Sequence, residues 1–202
     1  MSSVHGEPPE RGTVTTSDDL ERAVRAAAAV LARVEPGQLD DPTPCTAWPV
    51  RELINHLVGG SFFFAAAIET GTFAGDGPPP PDFASGDFVG AYADGAAKLS
   101  AALRAPDAPP QHVSVPFGEF SGTDFLGIAT IDTLTHAWDL ARATGQSTDL
   151  DPDLATRVLA SARDLVPDAW RGDDPAPFRP EQPAPDGATA ADRLAASLGR
   201  SV

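Results

Sequence analysis

The chain has 202 residues, a formal net charge of −15 and a pI of about 4.4, and its 14 basic residues are scattered along the sequence. A partner held through phosphate groups needs clustered Lys and Arg, so the composition argues against nucleic acid and against an anionic membrane surface. The length suits one domain with a substantial core.

Residues 1–16 are polar and predict a disordered tail, without the basic and apolar segments of a signal peptide. A first helix is predicted over 17–34, because an acidic capping segment precedes apolar residues at three- and four-residue spacing. A second helix is predicted over about 49–70, with a proline as its first residue. Its most apolar run, 57–68, is too short to span a bilayer, and no membrane contact is expected.

The proline-rich segment Pro78–Pro81 predicts a loop between the second helix and a third one over about 87–104. The third helix carries small residues at positions that allow close contact with a neighbouring helix. A short extended ribbon is predicted at 113–117, where apolar and polar residues alternate. Pro116 restricts that ribbon to the edge of a sheet.

The rest of the chain predicts three further helices, over about 123–145, 151–166 and 189–198. Four long helices with long, proline-rich connections are typical of a bundle whose helices are not simple up-and-down neighbours. We therefore expect an all-α fold. The expected domain covers residues 17–202 and includes a short C-terminal extension from about residue 146.

The candidate site begins with Asp132 and His136, four residues apart in the helix predicted over 123–145. Positions i and i+4 project from one helix face, and this face is apolar, so both side chains are expected to point inward. His56 lies near the centre of the apolar stripe of the second helix. Burying such groups without partners is costly, whereas zinc and related cations bind carboxylate oxygen and imidazole nitrogen. The pattern predicts a metal site of His56, Asp132 and His136 with an open coordination position.

Spacing alone leaves other roles open for these residues. His56 is alternatively a core histidine bonded to a backbone carbonyl, and Asp132 a helix cap or an ion-pair partner of Arg142. For Asp139, a salt bridge with Arg142 is favoured over a role in orienting the ring of His136.

The sequence has a single cysteine, Cys45, so an internal disulfide is excluded and a reducing cytoplasm is the expected compartment. Cys45 is interpreted as a small buried hydrophobe in preference to a thiolate near the metal. Trp48 and Trp138 are expected to anchor the core and not to stack on a ligand. His5, in the tail, and His112, in a loop, are expected to be solvated.

Three runs carry a resemblance to a known family: PTPCTAWPVRELINHL, DTLTHAWDLARATGQ and DRLAASLGR. They resemble the DinB/YfiT-like metalloproteins, in the branch that includes mycothiol-dependent maleylpyruvate isomerase, and the similarity extends from about Leu31 to Arg200. The resemblance implies a DinB-type four-helix bundle with a divalent metal held by three side chains. Its ligand positions fall on His56, Asp132 and His136. The isomerase-type pattern has Glu at the position of Asp132, which is one methylene shorter.

The same resemblance implies thiol-dependent chemistry. We expect an S-transferase or cis–trans isomerase that acts on a small-molecule electrophile, with mycothiol or another low-molecular-weight thiol as cosubstrate. Zinc is the first choice of metal, with nickel or iron as alternatives. The competing hypothesis is a non-enzymatic metal-binding or stress-response protein in which the cation ties two helices together. A monomer or a homodimer is expected.

Overall fold

The computed structural model describes residues 15–46, 48–75, 77–172 and 178–202. These residues form six α-helices and one β-hairpin: α1 (Ser17–Leu31), α2 (Val50–Thr70), α3 (Phe88–Leu103), β1 (His112–Val115), β2 (Gly118–Ser121), α4 (Gly122–Ala143), α5 (Pro152–Leu165) and α6 (Ala190–Ser197). The prediction of a mainly helical fold is confirmed. The predicted tail lies outside the described residues up to position 14, as does His5.

Local capping chemistry sets where the helices begin and end. Thr16 caps α1, since its hydroxyl accepts from the backbone of Asp19, whose carboxylate in turn accepts from the backbone of Thr16. α1 ends at Leu31, three residues before the predicted end. Gly71 ends α2 in a left-handed conformation with φ of 73°. The predicted boundaries of the other helices agree within about two residues, the usual uncertainty of helix ends.

Helices α1 to α4 surround the larger of two apolar cores. α1 contacts α3 and α4, and α2 contacts the same two helices. The close approach of α2 and α3 depends on Gly95, because a Cβ there would lie 1.9 Å from the hydroxyl oxygen of Ser61. The small residues predicted to allow close helix contact therefore do so at this position. By length and composition α2 is also the described helix apolar enough to cross a membrane, and half of that apolar window is buried in this fold.

α4 is the central element, because it contributes to both cores. Its buried residues occupy nearly every face of the helix, as expected of a helix without a solvent side. One face packs against α1 and α2, while the other packs against α5 and α6 in a second apolar cluster around Trp138, Leu154 and Leu194. The expectation that Trp138 anchors the core is confirmed. The C-terminal extension therefore supplies the wall behind α4.

The extended ribbon predicted before α4 is present as an antiparallel hairpin. β1 pairs with β2 in the register Val113 to Phe120 and Val115 to Gly118, so that Pro116 and Phe117 form the turn. Half of the Phe117 surface is exposed at this tip. His112 is exposed as predicted, but it lies in β1 and not in a loop.

Candidate metal centre

The structure brings together the three side chains that the sequence singles out. His56 extends from α2, and Asp132 and His136 extend from successive turns of α4. Asp132 Oδ1 lies 3.1 Å from His56 Nε2 and 3.6 Å from His136 Nε2. The side chains of His56 and Asp132 are 31% and 27% exposed, and that of His136 is 10% exposed. The triad therefore lies between α2 and the middle of α4, and one of its sides is accessible to solvent.

The donor set fits a divalent cation. One ligand atom from each triad residue lies within 4.8 Å of the other two. Tetrahedral ligands at zinc distances are separated by about 3.4 Å, and the two measured contacts to Asp132 bracket that value. Two imidazoles and one carboxylate form a donor set typical of zinc and neighbouring transition metals. His56, Asp132 and His136 are thus the residues that would hold the ion.

Asp139 and Arg200 fix the orientation of His136 from behind. His136 Nδ1 lies 3.0 Å from Asp139 Oδ2. Arg200 donates to both oxygens of that carboxylate, from Nη2 at 2.9 Å and from Nε at 3.2 Å. If His136 Nδ1 carries the proton and donates it to Asp139, Nε2 presents its lone pair toward Asp132, as a metal ligand requires.

The salt bridge predicted between Asp139 and Arg142 is wrong. The Asp139 side chain is fully buried, whereas Arg142, in the last turn of α4, is exposed. A buried carboxylate needs a partner that is also buried, and Arg200, 8% exposed, fills that role. The role that the sequence ranked second for Asp139, orienting the ring of His136, is the one in the structure.

The charges of the site stabilise one another. Burial raises the pKa of Asp132, but the neighbouring His56 and His136 outweigh burial and hold that pKa below its ordinary value. Burial likewise raises the pKa of Asp139, and the Arg200 guanidinium outweighs it, so this pKa is also lowered. Burial lowers the pKa of His56, while the Asp132 carboxylate raises it above the ordinary value. Both carboxyl groups are therefore ionised at neutral pH.

Two residues of the first motif also lie against the triad. The ring centroid of Trp48 is 4.5 Å from that of His56 and 5.5 Å from that of His136. Trp48 packs at the margin of the larger core as predicted, but it also covers the two imidazoles, which the prediction missed. Cys45 is half-buried, and it forms a second group of potential ligand atoms with His136 and Asp139. The prediction that Cys45 is merely a small buried hydrophobe is thus too simple.

A large cavity opens on the accessible side of the triad. Its volume is about 1290 Å³, and its wall includes His56 and Asp132. Pro78, Pro80 and Pro81, from the predicted proline-rich loop, contribute to the wall. The remaining wall is mostly aromatic and aliphatic. The triad therefore faces a chamber large enough for an organic molecule.

A buried tyrosine also lies within electrostatic reach of the triad. Tyr92, on α3, is 2% exposed, and its hydroxyl has no hydrogen-bond partner among the described residues. Burial raises its pKa, and the charge of Asp132 raises it further, so the hydroxyl stays protonated. Tyr92 was not predicted from the sequence to lie near the site.

Arg200 was not predicted from the sequence to belong to the site. It follows a segment of small and mostly apolar residues, Ala195 to Gly199, and this position was the available signal. Its partner is 61 positions earlier, and no local pattern joins positions so far apart.

Comparisons with known proteins agree with the geometry. The family model described as "Mycothiol maleylpyruvate isomerase N-terminal domain" matches residues 20–141. Two Mycobacterium tuberculosis proteins are similar to the chain, uncharacterized protein MT0763 of strain CDC 1551 / Oshkosh and uncharacterized protein Rv0738 of strain ATCC 25618 / H37Rv. Each is 45% identical over 182 residues, which cover 90% of this chain and 96% of the relative. No solved structure matches the chain.

The matched range covers more than half of the chain and contains α2 and nearly all of α4, the two helices that carry the triad. The chain therefore belongs to the mycothiol maleylpyruvate isomerase N-terminal domain family, a mycothiol-related group of DinB-like proteins.

Proposed function

We propose that the protein is a metal-dependent thiol transferase or isomerase of the DinB type, which joins the sulfur of mycothiol or a related thiol to a small electrophile. One observation carries the proposal: three converging donor atoms from two helices border an open cavity. Structural metal sites are closed by four protein ligands, whereas catalytic sites keep a position for another molecule. The contacts among α1 to α4 support the DinB-type four-helix arrangement.

Some side chains of the site would hold the metal ion, and others keep those ligands in position. His56 and Asp132 form the accessible edge, and His136 forms the buried edge of the donor set. Asp139 and Arg200 keep the His136 ring in one orientation, and Trp48 packs against both imidazoles. A bound divalent cation would supply one thing, stabilisation of the cosubstrate sulfur as thiolate near neutral pH. The cytoplasm, where such thiols stay reduced, is the compartment we propose.

The metal is tested first, by elemental mass spectrometry on untagged protein. We expect nearly one equivalent of zinc, nickel or iron in the wild type and little in His136→Ala. The matched control is His112→Ala, which removes an exposed histidine far from the triad in sequence and leaves the donor set intact. Equal metal content in wild type and His136→Ala, or none in the wild type after zinc is supplied, contradicts the proposal.

Activity is tested as the loss of free thiol when mycothiol and a model electrophile are mixed with metal-loaded protein. We expect the wild type and His112→Ala to accelerate conjugation equally, and His56→Ala to return the rate to the uncatalysed value. A wild-type rate no higher than that of His56→Ala would sink the enzymatic proposal.

The second candidate is a structural metal, and it is favoured by one observation: the triad joins α2 to α4. A structural ion contributes its binding free energy to folding, so its removal lowers the melting temperature sharply. In a site with one side exposed and the helices already packed by the core, we expect a smaller shift. Thermal unfolding before and after chelation, with the activity assay on the same samples, separates the two functions.

A further inference from the structure

The chamber beside the triad has a wall that selects for apolar molecules. Aromatic rings line it on several sides, from α2, from the loop that follows α2 and from the hairpin tip: Phe62, Phe63, Phe73, Phe83 and Phe117. Its volume, about 1290 Å³, lies above the usual range of about 300 to 1,000 Å³ for pockets that hold organic ligands. A small dianionic acid would fill little of this space and would meet few compensating charges.

The polar groups of the wall outside the triad are largely engaged elsewhere. Asn55 donates to Asp82 and accepts from the backbone of Ala84, so both ends of its amide hold the loop in place. Lys98 Nζ lies 4.9 Å from the ring centroid of Phe62, in a cation–π contact at the exposed rim. Apart from Asn55, Lys98 and the exposed Glu69, His56 and Asp132 thus provide the polar end of a mostly apolar chamber.

Two glycines keep the chamber wide next to the triad. Gly59 and Gly60 both line it, one turn along α2 from His56. A Cβ at Gly59 would meet no atom within 4 Å, and one at Gly60 would meet only the ring of Phe64, at 3.7 Å. Unlike Gly95, these glycines are not required by helix packing. Their lack of side chains leaves room for a ligand instead.

We infer that the electrophile is an apolar α,β-unsaturated carbonyl compound with an aryl group, its ring among the phenylalanines and its reactive carbon at His56 and Asp132. The chemistry in this inference rests on the proposed function. The choice of an apolar aryl ligand rests on the lining of the chamber alone. A sugar thiol such as mycothiol is too polar for this wall. We place the thiol at the mouth of the chamber, beside the exposed edges of His56 and Asp132.

The reaction needs no further reactant. The thiol sulfur forms a bond to the β-carbon of the acceptor, and the π electron pair of the carbon–carbon double bond moves toward the α-carbon. The proton released by the thiol is taken up at the α-carbon. The product is a saturated thioether, and no oxidant or reductant is consumed.

Substrate preference is measured with methyl vinyl ketone, benzylideneacetone and chalcone, using kcat/KM divided by the uncatalysed rate constant with the same thiol. Burying one phenyl ring contributes enough to raise this ratio about tenfold or more. We therefore expect the ratio to rise along the series. A ratio that is flat, or highest for methyl vinyl ketone, overturns the inference.

Binding is measured without catalysis, by titration calorimetry with dihydrochalcone, the saturated and unreactive analogue of chalcone. We expect it to bind wild type and His136→Ala with affinities within about twofold of each other. Gly59→Leu fills the chamber beside His56 and is expected to weaken binding about tenfold, while Gly59→Ala leaves it unchanged. Ala66→Leu, at another position on the same wall, is a second blocking variant and is expected to act likewise.

These outcomes separate the two proposals. Dihydrochalcone binding that Gly59→Leu and Ala66→Leu weaken, together with no thiol conjugation for any acceptor, leaves the ligand assignment standing and refutes the proposed function. Conjugation of methyl vinyl ketone without any binding of dihydrochalcone supports the function and refutes the ligand assignment. Binding that neither leucine variant weakens also refutes it, because the analogue then lies outside the chamber.

Discussion

The two ring nitrogens of His136 face surroundings that differ in solvent exposure. On its Nε2 side lie Asp132 and His56, each about a quarter to a third exposed beside a large cavity. On its Nδ1 side lie Asp139 and Arg200, which are buried and paired through two hydrogen bonds. The first side leaves ligand atoms accessible, whereas on the second side two Arg200 donors fix the carboxylate that orients the His136 ring. We therefore expect the proposed function to depend on the open side, and folding stability to depend on the closed one.

The largest expected effect comes from breaking the closed side. Arg200→Met leaves the Asp139 carboxylate buried without its counter-charge, which is expected to lower the free energy of unfolding by about 3–5 kcal/mol. Urea denaturation measures it. The double variant Arg200→Met/Asp139→Asn removes the buried charge as well and should recover most of the loss. A loss below about 1 kcal/mol in the single variant would show that the pair is not buried in solution.

Glycines give the same contrast between closed and open packing. Gly95→Ala places a Cβ 1.9 Å from the Ser61 hydroxyl oxygen in the α2–α3 contact, and we expect it to destabilise the fold by about 2 kcal/mol. Gly59 faces the open chamber, and in Gly59→Ala the better helix propensity of Ala should raise the free energy of unfolding by up to about 1 kcal/mol. Thermal and urea unfolding of both variants test the sign. Equal effects would mean that the two positions do not differ in packing.

The open side is expected to matter little for stability. Asp132→Asn in metal-free protein should change the free energy of unfolding by no more than about 1 kcal/mol, because partly exposed ion pairs contribute little. The same variant is expected to lose the metal, as measured by elemental analysis. Asp132→Glu restores the residue of the isomerase-type pattern and serves as the matched control, with the metal retained. A strongly destabilised Asp132→Asn protein would contradict the expectation that the open side contributes little to stability.

The smallest effect concerns an ion pair of intermediate exposure, Asp19 of α1 with Arg157 of α5. Burial raises the pKa of Asp19, but hydrogen bonds from Arg157 and Thr16 outweigh it and hold the folded-state pKa below its ordinary value. The pair therefore stabilises the fold above about pH 4, and this contribution disappears as the pH falls through the folded-state pKa.

We expect wild type to exceed Asp19→Asn in stability by about 0.5–1 kcal/mol at pH 7, with the difference shrinking toward pH 3. Urea denaturation at both pH values measures it. A difference that grows in acid would contradict the assigned sign.

The features that were predicted correctly from the sequence are those that depend on local periodicity. Apolar spacing identified the helices, and the i, i+4 relation of Asp132 and His136 placed two donors on one face of α4. The inward position of His56 followed from the stripe of α2. The pairing of Asp139 with Arg200 did not follow, because it joins residues 61 positions apart and depends on how α6 packs behind α4. The position of Trp48 against the imidazoles and the aromatic chamber likewise depend on how loops and helices meet.

The distance along the chain between Asp139 and Arg200 has a consequence for the order of folding. Helices α1 to α4 contain the whole triad, yet until the segment around Arg200 has packed against α4, Asp139 has no cation to offset its burial. The His136 ring then lacks its fixed acceptor. We therefore expect the nascent protein to pack α1 to α4 first and to fix the ring of His136 only when α6 and Arg200 pack against α4. Metal uptake by the proposed site is accordingly expected to follow the packing of the C-terminal segment.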